Sequence, residues 1–342
     1  MSSYGPPLSV ADLAEKLISN GLTCNNESER DLIERRLRSV SYYRLEEYTW
    51  PYRKISSENP AVRSSGFKSG VSIGLIWNTY LFDRRLRILL LDAIERFEVA
   101  WKNHITQVLV EHAGRNNPQT DLVLLPKFAS IDANGISRMD RWIKKANEAY
   151  NECRDVRIEH CRQVHGTTDV RDLPLWILME ILSFGAVQKL YAAMDESLQN
   201  EVAMRMGAEV AVLNGSVRLL RQVRNSCAHH GRVWNRQWKT WSKNQQKLVA
   251  LFSDKPQDAA WYCQQEKGCW VTPSRSGGHL SMPPYVTAFV FLLCGYWLKQ
   301  IAHTSSWKTR VERIIQPHGM LTVNAKMAGF VDGWHNHPLW LS

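Results

Sequence analysis

The chain has 342 residues, a length that allows one large or two smaller domains with a substantial buried core. Its hydrophobic content of 44% argues against general disorder, and its net charge of +10 favours an anionic partner, since phosphate neutralisation dominates affinity for nucleic acids. Fourteen Trp and eleven Tyr support the same partner because aromatic faces stack on unpaired bases, although such rings also serve as core anchors.

Helical patterns begin near the N-terminus, in a predicted segment spanning 1–70. Apolar residues over 9–20 predict an amphipathic helix, and either Asn26 or Ser28 caps a second one. Residues 54–70 are polar and rich in Ser, Gly and cations, which predicts a loop. We find no compelling strand alternation in the sequence, so helices are expected to dominate the fold.

An aromatic-basic segment precedes this polar stretch. Four of its residues are candidate RNA contacts: Tyr43, Arg44, Tyr48 and Arg53. Two interpretations stay open. Either the rings stack on bases while the cations neutralise phosphate, or the segment braces the long helix that follows it.

The longest helix pattern begins near Ser72 and continues to about His112, within a predicted core domain spanning 71–252. Its apolar residues recur at steps of three and four and mark a buried stripe. Most carboxylates on this helix are expected to be solvated or paired with neighbouring arginines. One of them, Glu98 or Glu95, is our candidate for a carboxylate that orients a functional residue on another helix.

A charged helix is predicted over 138–165. Its cations form either an RNA-facing stripe or a solvated face with internal salt bridges, because acidic residues are interspersed among them. Pro174 opens the next helix, and Gly185 is predicted to interrupt that helix and to permit close packing.

The stretch with the most functional information is 224–236, with the sequence RNSCAHHGRVWNR. Apolar residues upstream predict that a helix begins at about Ser216, its candidate N-cap. Gly231 is expected to end this helix in the left-handed conformation. The helix therefore places a cation, an amide and an imidazole near one terminus.

The helical rotation decides which of these groups can converge. Successive residues rotate by about 100°, so Asn225 and His229 lie within roughly 40° of each other. Arg224 lies about 140° from His229 on the same basis. A working site therefore requires either a distorted helix end or a second copy of the helix facing the first.

These residue types suit RNA cleavage without a metal. His229 is the candidate for proton transfer, since imidazole has the unperturbed pKa nearest neutrality. Arg224 and Arg232 supply bidentate donors to phosphate, and Asn225 positions the imidazole or the RNA backbone. His230 is either an auxiliary donor or a residue of the helix cap. Further candidate RNA contacts near the motif are Arg221, Trp234, Arg236 and Lys239.

The C-terminal segment, 253–342, is predicted to contain a loop and two helices, near 285–302 and 307–315, that pack on the core. The apolar run 285–298 has fourteen residues, fewer than the roughly 20 that span a bilayer, so we predict no membrane segment.

The seven cysteines form no disulfide framework, and no signal-peptide pattern is present, which predicts reduced thiols and a cytoplasmic protein. The spacing of Cys263 and Cys269 fits no zinc pair, and no metal is predicted. Cys227 and His229 point about 160° apart on a helix, which disfavours a Cys/His nucleophile. A P-loop and a G-x-G-x-x-G are both lacking, so a nucleotide-dependent function has no phosphate cradle, and no cofactor is predicted.

The sequence resembles the bacterial abortive-infection family of AbiD/AbiF type, a branch of the HEPN superfamily. Four segments in the family's order carry the resemblance: SYYRLEEY with WPY over 41–52, FDRRLR through AIERFE over 82–98, Trp176 with Glu180 and SFG over 176–185, and VRNSCAHHGRVWNR over 223–236. Together they extend over most of the chain.

The resemblance implies an all-α, HEPN-like helical bundle, here with additional N- and C-terminal helices. It implies an R-x4-6-H site at Arg224 and His229 that is independent of metal and built from two copies of the motif. Because the chain contains one convincing copy, the resemblance implies a homodimer. It also implies a structured non-coding RNA as partner.

Two functional hypotheses follow. The first is an RNA-directed abortive-infection protein with a metal-independent endoribonuclease site. The second is a non-catalytic scaffold that forms a ribonucleoprotein with a non-coding RNA through the same basic-aromatic surface. The two are compatible if the bound RNA restrains a nuclease.

Overall fold

The computed structural model describes residues 7–56, 63–236, 238, 286–302, 305–315, 328 and 330. Within these ranges the chain is helical apart from one antiparallel sheet of two short strands, which confirms the all-α class. No helix in this part of the chain is long and apolar enough to cross a membrane.

The N-terminal helices begin at side-chain caps. Helix α1 (Val10–Ser19) has a capping box between Ser9 and Asp12, and helix α2 (Glu27–Ser39) begins where Asn26 accepts a hydrogen bond from the Glu29 amide. Both predicted helices are confirmed, and Asn26 is the cap of the second.

The aromatic-basic segment forms helix α3 (Tyr42–Glu46) and a 3-10 turn (Trp50–Tyr52). Strands β1 (Arg53–Ile55) and β2 (Arg63–Phe67) then pair antiparallel. The prediction of a loop throughout 54–70 is therefore wrong. The strands are short and mostly polar, so they lack the apolar alternation that identifies a strand from sequence.

Helix α4 (Ile73–Ala113) has 41 residues and is the central element of the fold. Ser72 caps its start, and Gly114, with φ of 61°, ends it in the left-handed conformation. The predicted long helix is confirmed. It packs against helices of the N-terminal segment, the motif helix and both C-terminal helices.

The charged region consists of two helices, α5 (Arg138–Glu152) and α6 (Val156–His165), so the prediction of one helix is wrong. Asp155 adopts an extended conformation and caps α6 by accepting from the Arg157 amide, which starts a new helix. Helices α7 (Leu175–Ile181) and α8 (Phe184–Ala193) follow.

Pro174 precedes α7 as predicted, but the chain breaks at Leu182 and Ser183 rather than at Gly185. Ser183 caps α8 by accepting from the Ala186 amide, and Gly185 lies inside that helix. A Cβ built at Gly185 would make only ordinary contact, 3.8 Å from Arg221 Nη1, so the close packing predicted there stays a prediction.

Helix α9 (Glu196–Arg205) leads to helix α10 (Val210–Ala228), which carries the motif and is called the motif helix below. Its predicted start at Ser216 is wrong. Ser216 is fully buried inside the helix, where its hydroxyl donates to the Val212 carbonyl at 2.8 Å. Hydrogen bonding to the preceding turn satisfies this side chain, so it does not act as a cap.

Helices α11 (Val286–Ile301) and α12 (Trp307–Ile315) confirm the two predicted C-terminal helices. Trp101 of α4 contacts Phe184 and Tyr191 of α8 at a centroid distance of 5.4 Å, and Phe97 of α4 lies 5.0 Å from Trp297 of α11. Described residues of all three predicted segments belong to one buried hydrophobic cluster. The domain boundaries at 70 and 252 stay predictions.

Candidate active site

The motif helix ends in a turn over 229–231, called the motif turn below. His229 is the C-cap, and His230 has a φ of 58°, so the left-handed residue is His230 and the prediction for Gly231 is wrong. The Gly231 amide donates to the Ser226 carbonyl at 2.7 Å, and the His230 amide donates to the Cys227 carbonyl at 3.0 Å. These two bonds define a Schellman cap.

Gly231 is required in this turn for space and not for a left-handed conformation. A Cβ built on it would lie 3.3 Å from the Ser226 carbonyl oxygen and 3.3 Å from Arg236 Nη1. The glycine therefore allows the chain to pass close to the end of the motif helix.

Glu98 lies beside the motif arginine. Its Oε2 is 3.9 Å from Arg224 Nε, and its Oε1 is 3.2 Å from Lys102 Nζ. The Glu98 side chain is 13% exposed, whereas that of Arg224 is 37% exposed. This arrangement brings one of the two predicted carboxylates to the motif, where it holds the arginine and leaves part of the guanidinium open to solvent.

Asn225 and His229 are exposed on the motif helix, one turn apart. Within the described ranges neither side chain forms a hydrogen bond or an ion pair. Both groups are therefore available to a ligand, whereas Arg224 is directed toward α4 by Glu98. The helical rotation between positions 224 and 229 predicts that one chain presents its imidazole and its motif guanidinium in different directions.

Two arginines donate to the backbone of the motif turn and of the residue that follows it. Arg44 donates to the His230 carbonyl, and Arg236 Nη1 donates to the Arg232 carbonyl at 3.1 Å. The Arg236 guanidinium also lies 4.9 Å from the centroid of the Trp238 ring. Burial lowers the pKa of Arg232, and the charge of Glu47 opposes that change. Arg232 is half-buried.

The segment after the motif turn is fixed by Asp83, a residue that the sequence did not identify. Its Oδ1 accepts from the backbone amides of Val233 at 3.0 Å and Trp234 at 2.6 Å. Its Oδ2 accepts from the Tyr48 hydroxyl at 2.6 Å and from Arg87. Burial raises the pKa of Asp83, but its hydrogen-bond partners oppose that rise, and every one of them is a donor, which suits the ionised carboxylate.

Tyr48 and Trp234 lie in the core, so neither ring can stack on RNA as predicted. They are 1% and 0% exposed, and their rings stack on each other with centroids 6.4 Å apart. Arg53 is also buried, with its Nε donating to Thr49 Oγ1 at 3.0 Å and its guanidinium over the Phe67 ring. These three predictions of RNA contact are corrected by the burial of the side chains.

The bracing interpretation of the aromatic-basic segment is therefore confirmed for its inner residues. Tyr43 differs, since it is 76% exposed. Arg44 is half-buried at the motif turn, and Arg221 is half-buried beside Gly185. Lys239 lies outside the described residues, as do Cys263 and Cys269. In the part of the chain that is described, no group of three His, Cys, Asp or Glu could hold a metal ion.

Fold and site together define an all-α protein with an exposed histidine at the cationic end of a buried helix. The model of the family described as Abi-like protein matches residues 35–235, and the chain therefore belongs to this family. The predicted membership of a bacterial Abi family is confirmed, and it indicates a role in abortive-infection defence. No curated protein and no solved structure matches the chain.

Proposed function

We propose that this chain is an RNA-directed defence protein of the AbiF-like HEPN type and that it cleaves RNA without a metal. The observation that carries the proposal is the arrangement at the motif turn. His229 and Asn225 are exposed and free of partners among the described residues, and Glu98 holds Arg224 on the same helix end.

The proposed reaction is an internal transesterification. The ribose 2'-oxygen loses its proton and attacks the adjacent phosphorus, while the 5'-oxygen leaves and takes up a proton. The products are a 2',3'-cyclic phosphate and a 5'-hydroxyl. His229 transfers protons, Arg224 and Arg232 counter the charge on the phosphorane, and Asn225 positions the imidazole or the backbone.

The reaction needs a proton-transferring imidazole and a cation at the same phosphate. Within one chain Arg224 pairs with Glu98, and the helical rotation separates it from His229 by about 140°. Both requirements are met when two chains face each other through their motif helices. We therefore propose a homodimer in which each site combines groups from both copies.

Cleavage in a chelator tests this proposal. Labelled RNA incubated with the protein in EDTA should yield fragments with 2',3'-cyclic phosphate ends. His229→Ala should reduce the rate by about 10²–10⁴-fold, the usual contribution of general acid–base catalysis. His165→Ala is the matched control, because His165 is exposed on α6, outside the motif. Equal rates for the two variants, or no cyclic ends with wild type, would reject the nuclease.

A structured non-coding RNA is the proposed partner, and a scaffold without catalysis is the second candidate. The exposed Tyr43 ring, next to the Arg44 that holds the motif turn, favours RNA binding at this end of the molecule. One discrete RNA species should co-purify with the protein and dissociate steeply with salt. Protein that emerges without RNA and binds none at low salt would contradict both candidates.

A further inference from the structure

A second cationic surface lies away from the motif, where α5, α8 and the 3-10 turn Pro126–Ala129 pack on one another. They enclose a half-open cavity of about 330 Å³, called the basic cavity below. Its lining residues are Lys127, Phe128, Arg138, Arg141, Trp142, Lys189, Ala192 and Ala193.

Four cations line the basic cavity. Within the described ranges, Lys127, Arg138 and Lys189 have no ion-pair partner. Arg141 pairs with Asp132, and Asp195 interacts electrostatically with Lys127. Positive charges converge here without full compensation, and bringing an anion into the cavity relieves their mutual repulsion.

The inner wall of the cavity is apolar. Phe128 and Trp142 are buried with ring centroids 5.6 Å apart, and Trp142 Nε1 donates to the Ala186 carbonyl at 2.9 Å, which ties α5 to α8. Ala192 and Ala193 also line the cavity. Side chains larger than alanine at these two positions would reduce the space in the cavity.

Size and chemistry together identify the class of ligand. The volume lies at the small end of the range for small-molecule sites, roughly 300–1,000 Å³. A bare phosphate would leave the apolar wall unoccupied, and an acidic peptide would spread its carboxylates beyond one cavity. A nucleotide combines a phosphate for the cationic rim with a planar base for the aromatic and alanine walls.

We propose that the basic cavity binds one nucleotide, either free or as part of an RNA strand. A path between this cavity and the motif runs along α8. Gly185 faces Arg221 of the motif helix, and Lys189 lies one turn further on the same face, about 6 Å along the axis. The version of this proposal in which the nucleotide belongs to an RNA strand rests on the proposed function, because the cavity is then a second binding site for the RNA at the motif. The version with a free nucleotide does not.

Two kinds of variant distinguish binding inside the cavity from nonspecific electrostatic attraction to the protein surface. Arg138→Ala with Lys189→Ala removes two cations, and Ala192→Phe fills the space without changing charge. Ala192 is exposed, so this substitution leaves the core intact. Arg35→Ala with Arg154→Ala is the matched control, because it removes two exposed cations elsewhere.

Binding is measured by calorimetry with adenosine 5'-monophosphate and by fluorescence anisotropy with single-stranded oligoribonucleotides of increasing length. Both cavity variants should weaken binding by at least about tenfold, the factor that one charge-assisted hydrogen bond represents, while the control pair leaves it unchanged. For RNA, the slope of log affinity against log salt should fall by about 1.4 in the double variant, as expected for two lost phosphate contacts.

The probes distinguish the two sources. Binding of the monophosphate that both cavity variants weaken indicates a free nucleotide. No binding of the monophosphate, with a loss confined to the longer oligonucleotides, indicates an RNA strand. Equal affinities of wild type and both cavity variants for every probe overturn the proposal. Cleavage of a short RNA in EDTA is scored separately, so failure of the nuclease is not confused with failure of the cavity.

Discussion

Asp83 joins three parts of the chain that lie far apart in sequence. It accepts from Tyr48 on one side, from Arg87 on its own helix, and from the two backbone amides that follow the motif turn. The sequence could have indicated this residue, since Asp83 lies three positions before Leu86 and so falls on the buried stripe of α4. A carboxylate at a core position needs partners, but the stripe alone does not say which ones.

Asp83→Ala should destabilise the protein by about 3–5 kcal/mol, because it leaves the buried Arg87 without its counter-charge. Urea unfolding followed by circular dichroism measures the loss. Asp92→Ala is the control on the same helix, where the partly exposed Asp92 pairs with Arg96 and Arg310, and should cost about 1 kcal/mol or less. Similar losses for the two variants would show that the Asp83 contacts carry no special weight.

Asp169 provides a residue whose contribution should depend on pH. The side-chain hydrogen bond from Arg171 lowers the pKa of Asp169 to about 2, from an ordinary value of 3.8, with Asn147 adding a further hydrogen bond. A carboxylate with a lowered pKa in the folded state stabilises the protein above its ordinary pKa. That stabilisation is lost as the pH falls from 3.8 toward 2.

Asp169→Asn should therefore be less stable than wild type at pH 6, and the difference should shrink toward zero near pH 2. Thermal unfolding at several pH values measures this change. Added salt should also reduce the difference at pH 6, since the Arg171 side chain is mostly exposed. A difference that stays constant from pH 6 to pH 2 would show that Asp169 acts without its charge.

At the scale of elements, the motif helix shows what a local pattern can and cannot determine. Its end was predictable because charged and polar residues replace the apolar repeat near Gly231. It was not predictable that His230, and not Gly231, adopts the left-handed conformation. Glycine is the usual left-handed residue, but here the close approach to Ser226 requires the glycine one position later.

His230→Gly should stabilise the protein by about 0.5–1 kcal/mol, since a left-handed conformation is unfavourable for a residue with a Cβ. Urea unfolding measures the gain. RNA cleavage by this variant should be retained if His230 is only part of the cap. A correctly folded variant that has lost cleavage would instead assign His230 to proton transfer.

The aromatic-basic segment also shows that a local sequence pattern does not determine tertiary contacts. Its composition left RNA stacking and structural bracing equally open, because Tyr and Arg serve both purposes. Only tertiary contacts separate the exposed Tyr43 from the buried Tyr48 five residues later. The loop prediction after this segment failed for a related reason, since the pairing of β1 with β2 depends on contacts between short polar strands.

At the scale of the whole molecule, the helical class and the long central helix follow from periodicity, because burial on a helix imposes its own repeat. The position of Glu98 beside Arg224 does not follow, since it depends on how α4 and the motif helix pack. The divergence of Arg224 and His229 does follow, because helical rotation is fixed by the backbone. That divergence makes the number of chains in one site the central question.

Paired chains carrying different substitutions answer it. Arg224→Ala and His229→Ala chains, co-expressed with different tags and purified as a heterodimer, should recover about half of the wild-type cleavage rate. One of the two sites then receives Arg224 from one chain and His229 from the other. The mass of the purified assembly should correspond to two chains. Each homodimer of a single variant should stay inactive.

The same two substitutions placed in one chain provide the control. Paired with a wild-type chain, that double variant should be inactive if each site combines Arg224 and His229 from different copies, because both sites then lack one group. If each site lies within a single chain, the outcomes reverse. The wild-type chain then keeps about half of the activity, and the pair of single variants has none. The two heterodimers contain the same residues in different arrangements, so their comparison depends only on which chain supplies each group.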